Sequence, residues 1–347
     1  MTAQSQRPAE GPAEEPARRP VEGPVPALAT ARAGIYSDTP LESDLTSPFA
    51  TAGLVEVFRR RYLLKLLVQK EIQARYQGSL LGVLWSYVPS LVRFCMYFFV
   101  IGLIFGLHQT VPNFAIHMFS ALTAVHFFTE TFSSGTRSIA RNKAIVRKMP
   151  MPREMFPVAS VIVSAIDSFP QLLILFVGAV AVGWHPDVFG LGAFLLGFAV
   201  ITVLGTALAL LFSAMNVFFK DFQQIVSTLM MFTHWIVPMI YPFERIATSK
   251  FADTWVYTAY LCNPLTTGVL LFQRAFWVPT FPDCGTPAAA SSPTMCAPGG
   301  DVAAVGFPVL PNHLFLLGWV MLAVSLVILV LCQKAFSRLE GKFAERL

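Results

Sequence analysis

The sequence predicts an all-α, polytopic membrane protein, and three observations predict it. Hydrophobic residues make up 55% of the 347-residue chain and charged residues only 13%, against about 25% charged in soluble domains. Apolar runs of about 20 residues, enough to cross a hydrocarbon layer of about 30 Å as helix, recur along the chain. Basic residues bunch between some of these runs and are missing between others, which is how membrane proteins set their orientation.

Met1–Ala50 is rich in Pro, Ala and Glu and has no apolar run. Such a segment cannot bury enough surface to offset chain entropy, so a disordered cytoplasmic tail is expected over residues 1–50. Residues 51–79 form the next unit. From Val55 to Tyr76, apolar Val55, Phe58, Tyr62, Leu66 and Leu67 are interleaved with Arg59, Arg60, Lys65, Lys70 and Arg75 at helical spacing. One greasy and one basic face predict a helix lying in the membrane surface, with a soluble linker helix as the plainer alternative.

Residues 80–347 read as the transmembrane domain. Six spans are expected, at Leu81–Leu107, Phe114–Phe132, Phe156–Trp184, Phe189–Phe212, Ile225–Tyr241 and His313–Cys332. Arg59, Arg60, Arg61, Lys65, Lys70 and Arg75 precede the first. Arg137, Arg141, Lys143, Arg147, Lys148 and Arg153 lie between the second and third, and Lys334, Arg338, Lys342 and Arg346 follow the last. His108–Asn113 and the turn at His185-Pro186-Asp187 carry no Lys or Arg. Both termini are therefore expected in the cytoplasm of a cell whose inner membrane the chain crosses several times.

Between the fifth and last spans, Trp255–Leu261 and Leu265–Trp277 are each too short to cross, and the second carries Arg274. A re-entrant helical pair broken at Asn263-Pro264 explains both facts, provided the break is buried in protein. Residues 284–311 form an outer loop rich in Pro, Ala, Ser and Gly. Its Cys284 and Cys296 lie on the oxidising side, so a disulfide is expected. Closing so short a loop is worth about 3 kcal/mol by chain entropy.

The motifs of catalysis are missing from the sequence. It has no G-x-x-x-x-G-K-[ST] run to cradle ATP phosphates, no G-x-S-x-G elbow and no His or Cys pair at metal-ligand spacing. His117 and His126, nine residues apart on the second span, read as packing or interface residues. The charged loops are almost purely basic, unlike the acidic loops of a polytopic glycosyltransferase. The chain reads as no enzyme, with no cofactor or metal of its own.

Polar residues within the spans are the better guide, because each is expensive in lipid. Ser86, Ser90, Arg93 and Tyr97 share one face of the first span; Ser120, Thr123, Phe127, Glu130 and Ser134 share one face of the second, and the third carries Asp167. Two readings stand. Arg93 snorkels to the interface and Glu130 pairs with a nearby basic group, or both stripes line a polar, aromatic-walled path. Tyr87, Phe94 and Tyr97 on the first span, with His234, Trp235 and Tyr241 on the fifth, offer flat apolar faces and polar handles suited to sugar. Packing or lipid contact is the plainer role for each.

The chain resembles the membrane subunit of ABC-2-type polysaccharide exporters from about Val55 onward. The stretch Lys70-Glu71-Ile72-Gln73-Ala74-Arg75-Tyr76, continuing through Ser79 and Gly82 to Trp85, matches the family's acidic residue, Arg-Tyr pair and Ser-x-Leu-Gly-x-x-Trp. Phe127-Phe128-Thr129-Glu130, Asn142, and the turn Lys148-Met149-Pro150-Met151-Pro152 follow. Then come Asn216-Val217-Phe218-Phe219-Lys220-Asp221, Val237-Pro238-Met239-Ile240-Tyr241-Pro242, and Asn263-Pro264-Leu265 with Arg274. Lys220 stands where Arg is commoner, and the outer loop is long for the family.

The resemblance implies a homodimeric permease carrying two copies of a separate ATPase, which binds the ATP and Mg. It implies that residues 51–79 form a cytoplasmic gate helix and that the re-entrant pair forms an outer gate. The segment with Arg141, Lys143, Arg147, Lys148 and Arg153 would be the coupling element against the ATPase. The implied cargo is a glycan carried on a polyprenyl pyrophosphate, a cell-wall galactan precursor being one candidate. Membrane lipids are the remaining partner, and no nucleic acid is implied. Drug or lipid efflux by an ABC-2 permease, a membrane scaffold and a polytopic enzyme remain the alternatives.

Overall fold

The computed structural model describes residues 53–78, 85, 87–149, 151–250, 254–280, 303–304, 307–308, 310–311 and 313–343. The expected tail over residues 1–50, the start of the first span, Ser86, and Cys284 and Cys296 with most of the outer loop lie outside the described residues.

The described chain is helical except for an antiparallel strand pair, β1 (Ala303–Ala304) and β2 (Phe307–Pro308). The surface helix expected over Val55–Tyr76 is two helices, α1 (Gly53–Arg59) and α2 (Arg61–Tyr76). They part at Arg60, whose φ of −91° and ψ of 40° leave the helical region. Val57, Leu64, Leu67 and Val68 pack inward, while Val55, Phe58, Tyr62 and Leu66 stay exposed. The helices thus have an apolar stripe against the bundle and a second one free of it, the surface a membrane interface would cover.

The first spanning helix, α3 (Tyr87–Tyr97), continues as a π-helix over Phe98–Ile104, and a single turn, α4 (Leu107–Thr110), follows. Next come α5 (Phe114–Arg141), α6 (Lys143–Lys148), α7 (Met155–Ala181) and α8 (Val188–Phe218). α5 runs on past the end of the expected second span, so Arg137 and Arg141 stand on a helix and not in a loop. Then follow α9 (Asp221–Ile236), α10 (Phe243–Ala247), α11 (Trp255–Leu261), α12 (Pro264–Phe276) and α13 (Leu314–Glu340).

Among the described residues four helical stretches are long and apolar enough to cross a membrane: Tyr87–Ile104, Met155–Ala181, Val188–Phe218 and Leu314–Glu340. α5 has the length, at 28 residues, but its polar side chains dilute its apolarity. α9 has 16 residues, short of the roughly 20 needed. Phe169, Phe189, Trp319 and Leu331 of the apolar helices are each more than half exposed, as lipid-facing side chains are.

α5 is the hub, packing against α7, α8, α9 and α12. Small residues let the axes approach: a Cβ on Gly135 would sit 2.4 Å from that of Ala209, and one on Gly205 would sit 2.8 Å from Thr131. Hydrophobic collapse gives little between helices in lipid, so such close van der Waals contact carries the packing. A second cluster gathers where α5 ends. It joins Val57, Leu64 and Val68 to Ile139, Val146, Phe156, Phe336 and Phe343.

The two short arms expected on either side of Asn263-Pro264 are both helical, and Asn263 starts the second. The Asn263 side chain accepts from Leu265 N at 3.0 Å, and Pro264 takes the first helical position, where a missing N–H is harmless. The break itself is not buried: Cys262 is exposed and Asn263 half-buried. Its backbone groups are satisfied locally instead, Cys262 N by Thr258 O and Asn263 O by Thr267 N. Every residue of α12 from Leu265 to Phe276 is buried, and none of α11 is.

Candidate functional site: a charged cluster between the N-terminal helices and the bundle

Two charged residues four apart on α2 face the bundle. Glu71, with a side chain 8% exposed, accepts from Arg141 at 2.5 Å and from Asn142 at 2.7 Å, one on each carboxylate oxygen. Lys70 donates to the Asn142 side-chain oxygen. One turn on, Arg75 pairs with Glu130 of α5 at 2.7 Å and with Asp167 of α7, and the Tyr76 hydroxyl donates to the same Asp167. Asp167 is 4% exposed. A carboxylate on so apolar a helix is retained only when paired, and Arg75 is its partner. Lys70, Glu71, Arg75, Arg141 and Asn142 line a cavity of about 200 Å³.

The charged candidates converge around a residue the sequence set aside. His126 on α5 feels the charges of Glu130, Arg93, His234 and Arg75, and Arg93 acts on His234 as well. Arg93 is half-buried and makes no hydrogen bond or ion pair among the described residues. His234 meets the carbonyl of Met230 through Nδ1 at 3.1 Å.

The aromatic candidates do not form one wall within the described chain. Phe94 stacks edge-on against Phe119 at 4.9 Å and packs on Phe98. Tyr87 and Tyr97 are half-buried, and Trp235 is 65% exposed. The Tyr241 hydroxyl donates to the carbonyls of Trp235 and Ile236, both at 3.0 Å, closing the end of α9. Of the second-span stripe, Ser120, Thr123, Phe127 and Ser134 are buried within the chain, and Glu130 is held by Arg75.

The coupling candidates divide. Lys143, Arg147 and Lys148 project from α6 and are exposed. Arg141 is committed to Glu71, and Arg153 to the last helix, donating to the Glu340 carbonyl at 2.6 Å and lying 5.4 Å over the Phe343 ring. The opposite end of the bundle is fastened separately. Arg274 pairs with Asp187 at 3.0 Å, Gln273 donates to the Pro238 carbonyl at 2.7 Å and meets His117 at 3.1 Å, and Trp277 donates to the Pro112 carbonyl at 2.8 Å.

Sequence reading missed Arg75, Glu71 and His126 as site residues. The run from Lys70 to Tyr76 carried a usable signal, since two charges four apart on an otherwise apolar helical face need partners.

Comparison with known proteins gives the frame for this cluster. Residues 62–277, more than half of the chain, match the model of the ABC-2 type transporter family. An O-antigen export system permease protein RfbA of Myxococcus xanthus is 27% identical over 234 residues, covering 66% of this chain and 85% of the relative. One of the same name from Klebsiella pneumoniae is 25% identical over 217 residues, covering 62% and 80%. The match takes in α2, the α5–α6 corner and the re-entrant pair, so the chain belongs to the ABC-2 type transporter family as a non-catalytic, multi-pass membrane subunit.

Proposed function

We propose that the chain is the permease subunit of an ATP-driven exporter of a lipid-linked polysaccharide. It would work as a dimer with two copies of an ATPase that supplies the bound ATP and Mg. The observation that carries this reading is the coverage of the relatives: both export permeases named for O-antigen align over at least 80% of their length. Six spans with both termini in the cytoplasm follow the distribution of Lys and Arg. That count includes α5 and α9, and places α1, α2 and α6 on the cytoplasmic side.

Two features of the fold support a polar path. Gln223, Gln224, Ser227 and Thr228 lie on the exposed side of α9, where lipid would be a poor neighbour. Arg93, with His126 and His234 beside it, offers positive charge where a pyrophosphate-linked cargo would enter. Its planar fork holds two phosphate oxygens at once. Tyr87, Tyr97 and Trp235 are the aromatics left accessible for sugar faces.

Depletion of the protein tests the reading. Lipid-linked glycan should accumulate on the inner leaflet, and the tagged chain should co-purify with an ATPase in equal number. An unchanged lipid-linked glycan pool with impaired efflux of a drug or a phospholipid would move the chain to the efflux branch of the family. Purification of an ATP-hydrolysing single chain would remove it from permease function.

A further inference from the structure

Asn142 belongs to two helices at once. Its backbone N–H closes α5 on Ser138 O and Ile139 O at 3.2 and 3.1 Å, and its carbonyl opens α6 by accepting from Ile145 N and Val146 N at 2.9 and 3.1 Å. Its side chain donates to Ser138 O at 3.0 Å and to Glu71 at 2.7 Å. Arg141, its neighbour, fills the other oxygen of the same carboxylate. Lys70 of α2 also donates to the Asn142 side-chain oxygen, and the other contacts of α2 here are apolar, Leu64, Leu67 and Val68 against Ile139, Val146 and Phe156. Apolar contacts are non-directional and let one helix slide over another, whereas a buried carboxylate with a donor on each oxygen fixes position.

We propose that Glu71 is a positioning residue that makes α2 move as one piece with the α5–α6 corner, so that displacement of α6 is delivered to the N-terminal helices. This rests on the exporter reading, in which the exposed Lys143, Arg147 and Lys148 of α6 meet the ATPase. Four residues further along α2, Arg75 holds Glu130 and Asp167 through a side chain 28% exposed. Motion carried by Glu71 therefore arrives one helical turn from the contacts that hold α2 on α5 and α7. Those contacts are the ones that must rearrange when α2 shifts.

The test uses the full chain in complex with its ATPase in lipid nanodiscs, with its native cysteines replaced by serine. Spin labels go on cysteines replacing Gln69 of α2, Ala144 of α6 and Lys334 of α13, all exposed. Between the nucleotide-free and ATP-trapped states, the 69–144 distance should stay fixed while 69–334 shifts by about 2 Å or more, the scale of interface helix movements. Glu71→Arg should abolish the 69–334 shift and let 69–144 change, with ATP hydrolysis retained. Adding Arg141→Glu should restore the wild-type pattern, which a merely structural role for Glu71 would not produce. If Glu71→Arg does not accumulate, Glu71→Gln should give at most half of the wild-type 69–334 shift. A wild-type 69–334 shift preserved in the Glu71 variants, a wild-type 69–144 distance that changes, or a failure of the Arg141→Glu exchange to rescue would each overturn the proposal. A wild-type chain that captures no ATPase brings down the exporter reading and the role of Glu71 with it; a working complex whose labels ignore Glu71 brings down the role of Glu71 alone.

Discussion

At the start of α8, Arg274 with a side chain 7% exposed, Gln273 at 1% and Trp277 at 2% hold α12 to Asp187, the Pro238 carbonyl and the Pro112 carbonyl. At the end of α5 the burial is reversed: the carboxylates of Asp167 and Glu71 are 4% and 8% exposed, and their partners Arg75 and Arg141 are 28% and 44% exposed. The first set is desolvated, so each bond broken there strands a buried polar group without water to replace it. In the second set the guanidinium donors keep water and can leave cheaply, and the open Arg75–Glu130 pair is worth little net, whereas Glu71 and Asp167 are stranded if they lose their partners. The same bundle thus has one end whose buried groups are donors and one whose buried groups are carboxylates, and the contact that exchanges at low cost is the Arg75–Glu130 pair.

Substitutions on the two sides should separate in size. Asp187→Ala should have the largest effect. It removes the partner of buried Arg274 and also the cap that accepts from Gly190 N at 2.8 Å. A loss of about 3–5 kcal/mol is expected from the stranded charge, with about 1 kcal/mol more from the cap. It would appear as a lowered unfolding midpoint in detergent, and Asp187→Asn, which keeps a cap acceptor, should lose less. Equal losses for the two would show that the cap contributes nothing and that the whole loss comes from the stranded Arg274 charge.

Gln273→Ala comes next, at about 1–3 kcal/mol, because it leaves His117 and the Pro238 carbonyl without their partner in a dry site. A midpoint unchanged from wild type would mean that water reaches this end after all. Glu130→Gln should cost under about 1 kcal/mol, since Arg75 keeps Asp167 and the pair is open to solvent. A loss as large as that of Asp187→Ala would erase the contrast between the two ends. The smallest effect on stability belongs to Arg93→Lys, since Arg93 has no partner among the described residues to lose. Export should nonetheless fall, because a point charge replaces a two-pronged one. Full export in both Arg93→Lys and Arg93→Leu would take Arg93 out of the pathway.

Much of the candidate site was present in the sequence only as fragments. Charge spacing on the run from Lys70 to Tyr76, the stripe ending at Glu130, and Asp167 on an apolar helix each announced a polar group in need of a partner. Which partner could not be read, because Tyr76 and Asp167 are 91 positions apart and Arg141 and Glu71 are 70 apart. Such pairings depend on how helices cross, and the local pattern carries no information on that. His126 shows the same limit from the other side. A lone His on an apolar span looks like packing until α3 and α9 bring Arg93 and His234 to it.

By itself the sequence determined the membrane class, the positions of the long helices and the break at Asn263-Pro264. These follow from local quantities: apolar run length, missing N–H groups and the side-chain chemistry of a cap. The tertiary structure decided the rest. It split the surface helix at Arg60, turned Val57, Leu64 and Val68 rather than Val55 and Phe58 inward, and buried all of α12 from Leu265 onward beside an α11 with no fully buried residue. Both arms of that pair are apolar, so hydropathy cannot tell them apart. Only packing against α5, α8 and α13 buries one arm whole and leaves the other at the surface, held through Tyr257, Tyr260 and Leu261.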